Sequence, residues 1–143
     1  VRTKPEGIPA AEDGLAGYVR SVAALIGIPS AGTTHEISDS ANAYLAVARR
    51  CRTHPDDDLM LLWNERDGWH AALETRPGER PMILAYLGDC LVPEPGMVAA
   101  FAESVIAGRP AGQSESPGLG RTGRTDHLAS ALAGYAQDPA LLR

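Results

Sequence analysis

Residues 59–75, read as LMLLWNERDGWHAALET, admit one local structure. Two runs rich in apolar and β-compatible residues flank Glu65-Arg66-Asp67-Gly68, and that arrangement predicts a β-hairpin. Gly68 can adopt the left-handed backbone that closes a three-residue loop with a bulge. This loop would pair Glu65 with Trp69 and set Asn64 opposite His70. A two-residue Asp67-Gly68 turn would instead pair Arg66 with Trp69 and send the two tryptophans to opposite faces. The three-residue loop sorts the side chains better. It gathers Leu59, Leu61, Trp63, Trp69, Ala71 and Leu73 on one face and leaves Met60, Leu62, Asn64, His70, Ala72 and Glu74 on the other.

A lone hairpin is marginal in water, so neighbouring strands are required. The segment SANAYLAVARRC balances two tendencies. Its alanines and a serine cap favour helix, whereas Tyr44, Leu45 and Val47 suit a strand. Because RTHPDDD reads as a turn into Leu59, strand is the better assignment. MILAYLG, from Met82 to Gly88, has strand length and apolar character. The expectation is a meander of about four strands.

Helices bracket this sheet. Leu15, Tyr18, Val19, Val22 and Ile26 recur at helical spacing over about residues 10–26, with Glu12 and Asp13 placed in the first turn and Gly27 and Pro29 as the stop. Pro95 suits the first turn of a second helix whose stripe is Val98, Phe101, Ala102 and Val105, ended by Gly108 and Pro110. Ser30–Ser40 is polar and reads as a connecting loop. Residues 1–10 read as a flexible leader, 11–108 as one globular domain and 109–125 as a disordered linker. Residues 126–143 read as a short amphipathic helix capped by Asp126, with Leu128, Leu132 and Tyr135 on one side. The fold class expected is α+β, an antiparallel sheet with two main helices over its tryptophan-bearing face. The linker's low apolar content predicts that the C-terminal helix contributes little to the core's stability.

Composition narrows function. The chain has 143 residues, of which 44% are hydrophobic, enough for one core that needs no metal or disulfide. Its 18 acidic against 13 basic side chains give no positive field for nucleic acid or an anionic membrane. No apolar run approaches a membrane span and the first residues lack a signal-peptide core, so a cytoplasmic protein with reduced Cys51 and Cys90 is expected.

The middle of the chain resembles a family of small actinobacterial proteins known as a domain of unknown function. The resemblance rests on GLAGYVRSVAALIGIP, AYLAVA, LMLLWNERDGWHAALET, ILAYLGD and VPEPGMVAAF and covers about residues 14–108. It implies a bacterial cytoplasmic setting and carries no catalytic residues to transfer.

Chemical motifs are sparse. Gly118-Leu119-Gly120-Arg121-Thr122-Gly123 spells GxGxxG, but no strand precedes it to place a pyrophosphate at a helix start. Cys51, His54 and Asp56–Asp58 fall short of the ligand set that zinc or calcium requires, and Pro55 with three aspartates reads as a solvated turn. Arg49, Arg50 and Arg52 are expected to pair with the nearby aspartates. No GxSxG elbow occurs. Neither cofactor nor metal is expected.

The remaining candidate is the second hairpin face. Met60, Leu62, Asn64, His70 and Glu74 combine exposed apolar contact with a histidine that titrates near neutral pH. Glu74 lies about 13 Å along the strand from His70, so the two form no dyad. The function expected is a non-catalytic binding or regulatory module working through protein contacts, with another protein or as a homodimer. The alternative is a small enzyme or small-molecule binder using His70.

Overall fold

The computed structural model describes residues 7–37, 41–75, 79–88, 90–118 and 131–135, with the side chains of these described from Glu12 onward except that of Ser30. Chain order is α1 (Gly7–Ile26), a short 3-10 turn, β1 (Thr33–Ile37), β2 (Ala41–Val47), β3 (Leu59–Asn64), β4 (Gly68–Leu73), β5 (Met82–Tyr86) and α2 (Pro95–Ala107). The strands form one antiparallel sheet in sequence order, β1-β2-β3-β4-β5. The α+β meander with two helices is therefore the observed fold, with five strands rather than about four.

The extra strand is β1, which lies in the polar stretch that reads as a loop in the sequence. Its Thr33-Thr34-His35-Glu36-Ile37 lacks apolar alternation because the strand lies at the sheet edge, where even its inward face is only partly buried. Thr33 pairs with Leu45 and Ile37 with Ala41, which fixes β1 against β2. β2 is a strand, as its β-branched and aromatic residues suggested, and its alternating burial marks one face as core.

α1 begins at Gly7, inside the expected leader. Pro9 falls in the first turn, where its missing N–H has no helical partner to lose. Glu12 and Asp13 consequently lie beyond the first turn. Residues 1–6 lie outside the described residues. α2 starts at Pro95 and closes at Gly108, whose φ of 77° is left-handed.

α1 and α2 pack on each other and on the tryptophan face. Leu15, Tyr18, Val19 and Val22 of α1 and Val98, Phe101, Ala102 and Val105 of α2 share one buried cluster with Leu45, Leu59, Leu61, Trp63, Trp69 and Leu73. Both indoles find acceptors there. Trp63 Nε1 donates to the Leu91 carbonyl at 2.8 Å, and Trp69 Nε1 donates to Tyr18 Oη at 3.0 Å. Tyr18 in turn donates to the Pro93 carbonyl. These bonds let bulky polar-tipped rings fill a core without an unsatisfied group.

The C-terminal tail differs from its expectation. A helical turn over 131–135 is docked: Leu132 is completely buried in the core cluster and the Tyr135 ring lies 4.8 Å from that of Tyr18. Gly14 makes room, since a Cβ there would come within 2.4 Å of the Leu132 carbonyl oxygen. Asp126 and Leu128 lie outside the described residues. Within the expected linker, Gln113 and Tyr86 exchange two backbone hydrogen bonds, and Ser116 donates to Asp67. Leu119, Gly120, Arg121, Thr122 and Gly123 of the GxGxxG string are outside the described residues.

Candidate functional site

The hairpin sorts its faces as the sequence predicts, but its register differs by two residues. Trp63 pairs with Trp69, Leu62 with His70 and Asn64 with Gly68, so Asn64 and His70 are not opposite each other. Asn64 is the cause. Its Oδ1 accepts the N–H groups of Arg66 at 2.9 Å and Asp67 at 2.7 Å, and its Nδ2 donates to Asp67 Oδ2 at 3.2 Å. An asparagine that binds the backbone two and three residues on opens the turn itself. The loop therefore starts one residue early and closes on Gly68, whose φ of 66° is the left-handed value expected of it. Glu65, freed from the ladder, accepts the Ala41 N–H at 2.6 Å and ties the turn to β2.

The outer face, turned away from the helices, is built from Thr34 and Glu36 of β1, Asn42, Tyr44 and Ala46 of β2, Met60, Leu62 and Asn64 of β3, His70 and Ala72 of β4, and Ile83 and Tyr86 of β5. Met60 is only 6% exposed and His70 4%, which corrects the expectation of an exposed methionine. Leu62, Tyr44 and Tyr86 are half-buried, and Ile83 is exposed. Among the described residues Met60 and His70 lie mid-sheet, where Ala72, one of the face's two alanines, is wholly covered while larger neighbours stand around it.

Every polar member of the expected site is held internally. His70 Nδ1 lies 3.0 Å from the Gly68 carbonyl, and since a carbonyl only accepts, Nδ1 carries the proton and Nε2 is the basic nitrogen. Its ring lies 5.3 Å from that of Tyr86. Burial pushes the His70 imidazole below its usual range, against the opposing pull of the Gly68 carbonyl and the Asp67 charge. Glu74, exposed just past β4, accepts from Tyr44 Oη at 2.5 Å. That bond crosses β3, which lies between the two strands, and it pushes the Tyr44 phenol up to about 12.

The other motifs resolve into structural contacts. Arg49 grips Glu103 of α2 at 2.8 Å and Arg50 reaches Asp58 at 3.1 Å, both near the surface. The Cys51 thiol is buried and donates to the Val105 carbonyl, tying the β2–β3 connection to α2. Thr53 Oγ1 bridges this thiol and His54 Nδ1. Among the described residues no cluster of three potential metal ligands occurs, and no helix is long and apolar enough to cross a membrane.

Two of the clefts among the described residues are lined mainly by side chains off the outer face. One, of about 280 Å³, is bordered by Cys51, Leu84, Val105 and Arg109. The second, of about 430 Å³, runs between α1 and β1, lined by Ala16, Val19, Arg20, Thr33, Thr34 and His35. Sequence reasoning missed this second cleft because it took β1 as loop. The available signal was the cluster of β-branched Thr33, Thr34 and Ile37 in a polar stretch.

Residues 18–104 match the model of one protein family, described as a family of unknown function. No curated protein and no solved structure matches the chain.

Proposed function

Because the chain belongs to the DUF6292 family, whose matched region runs from within α1 to within α2, we propose a function for the sheet and its two helices rather than for the flanks. The domain is a non-catalytic binding module of the actinobacterial cytoplasm that acts through protein contacts on its outer sheet face. One observation carries this reading: the three polar residues expected of the site are each already bonded within the fold, Asn64 to the turn, His70 through Nδ1 to Gly68 and Glu74 to Tyr44. What a partner meets is an apolar and aromatic surface of Leu62, Tyr44, Tyr86 and Ile83 beside these internally bonded groups, the composition of an interface centre. The fixed Nδ1 proton leaves Nε2 of His70 as a base, and this favours the alternative, a small enzyme or small-molecule binder using His70.

A photoreactive residue placed at Leu62 or Ile83 tests the proposal in an actinobacterial extract. Discrete adducts to a protein from both positions, and none from the exposed Leu25 of α1, are expected. Adducts equally frequent at all three positions contradict it, as does a small-molecule turnover that disappears in His70→Ala.

A further inference from the structure

We propose that the outer edge of β1, with the adjoining row of α1, is a two-fold interface at which a second copy of this chain extends the sheet. This surface meets the outer face only at Thr34 and Glu36 and leaves the Leu62, Tyr44, Tyr86 and Ile83 surface uncovered, so either reading can fail alone.

β1 is the last strand of the sheet and pairs on one side only, with β2; among the described residues no strand meets its other side. At the opposite edge, the exchange between Tyr86 and Gln113 occupies the end of β5. Natural edge strands are commonly blunted by lysine, proline or a bulge, and Thr33–Ile37 has none of these.

Two antiparallel copies of one strand are related by an axis normal to the sheet, so residues of like parity pair and both helical layers lie on the same side. Centring the axis on His35 uses all five residues of β1. Thr34 then faces Glu36 of the second copy, a hydroxyl against a carboxylate, and Thr33 faces Ile37, a β-branched pair. Centring on Glu36 would set two carboxylates face to face, and centring on Thr34 would leave Glu36 and Ile37 without counterparts.

α1 supplies an independent match. Glu12, Ala16 and Arg20 recur every fourth residue and so share one helix face. Ala16 and Arg20 border the cleft beside Thr33, Thr34 and His35, which places this row next to the same axis. Glu12 and Arg20 are exposed and have no ion-pair partner among the described residues. They are about 12 Å apart along the helix, too far to pair with each other. Two α1 helices running antiparallel about Ala16 set each Glu12 against the Arg20 of the other copy, with the small alanine permitting close approach. Strand edge and helix row are thus self-complementary about one axis.

Sedimentation velocity over a wide range of concentration, with the full chain, tests this. A reversible dimer is expected. Arg20→Glu and Glu12→Arg should each weaken it by roughly tenfold or more, since each change turns two attractive contacts into repulsions. The double charge-swap variant should recover most of the affinity, and this rescue excludes misfolding as the cause. Hydrogen exchange at the amides of 33–37 should slow as the dimer forms. A monomer at every concentration, a dimer indifferent to the swaps, or a dimer without protection in β1 overturns the proposal.

Discussion

Replacing Tyr18 with phenylalanine removes one oxygen from the core and breaks two hydrogen bonds. In the native fold Trp69 Nε1 donates to Tyr18 Oη, and Tyr18 donates to the Pro93 carbonyl. Tyr18 is fully buried and Trp69 is 1% exposed, so water has no ready access to replace the lost partner. Stranding a buried donor or acceptor costs about 1 to 3 kcal/mol, so the donor and acceptor together predict a loss of roughly 2 to 6 kcal/mol with the ring packing retained. For a chain of this size that is a fall in Tm of roughly 5 to 25 °C. Urea unfolding followed by tryptophan fluorescence measures it, and an unchanged m value would show that compactness is preserved. Tyr44→Phe, which removes a hydroxyl from a half-buried ring on the outer face, serves as the comparison and should cost less than about 1 kcal/mol. If Tyr18→Phe is no worse than Tyr44→Phe, the indole–phenol–carbonyl chain does not organise the junction of α1, β4 and the segment before α2.

Two further outcomes follow from the contacts. Truncation after Gly118 should lower stability by about 2 kcal/mol or more, because it exposes the fully buried Leu132 site and removes the Tyr135 ring from Tyr18; an unchanged denaturation midpoint would mean that the 131–135 turn does not dock in solution. Tyr44 should ionise late in an alkaline absorbance titration: its phenol is raised to about 12 in the fold against 10.0 unfolded. The neutral form is favoured by folding, so its stabilisation is complete below about pH 10 and fades as pH rises towards 12. Glu74→Gln should bring that ionisation back towards its ordinary range, and no change would disprove the Tyr44–Glu74 bond as its main cause.

The sequence made the sheet faces legible because period-two sorting depends on side-chain chemistry alone, and Trp63 and Trp69 had one sensible destination. Register was less legible. It turned on whether Asn64 would act as a ladder residue or as the first residue of the turn, and side-chain hydrogen bonding to Arg66 and Asp67 decided it. β1 escaped notice since an edge strand needs no apolar alternation to be stable once β2 is present. The docking of Leu132 was hidden in the same way, because its signal lies across the chain in the space left by Gly14. Of the residues expected at the site, Met60, Leu62, Asn64 and His70 lie on one face by strand parity, Asn64 at the turn and Glu74 past the other end of the hairpin, and the burial of Met60 and His70 goes with their place mid-sheet. The α1–β1 cleft required both elements to be in place.

The central claim is that the outer face works by contact, with His70 as an internally bonded part of the sheet. An NMR titration of the ring nitrogens of His70 tests it most directly. The claim predicts a neutral imidazole protonated on Nδ1, with a pKa below the usual 6.5 because burial disfavours the charge. Since the unfolded chain binds this proton more readily, the associated stability is present above about pH 6.5 and is lost as pH falls through the lower folded value. A His70 that titrates at or above 6.5, or carries its proton on Nε2, would contradict the claim and return the residue to candidacy as an exposed acid–base group.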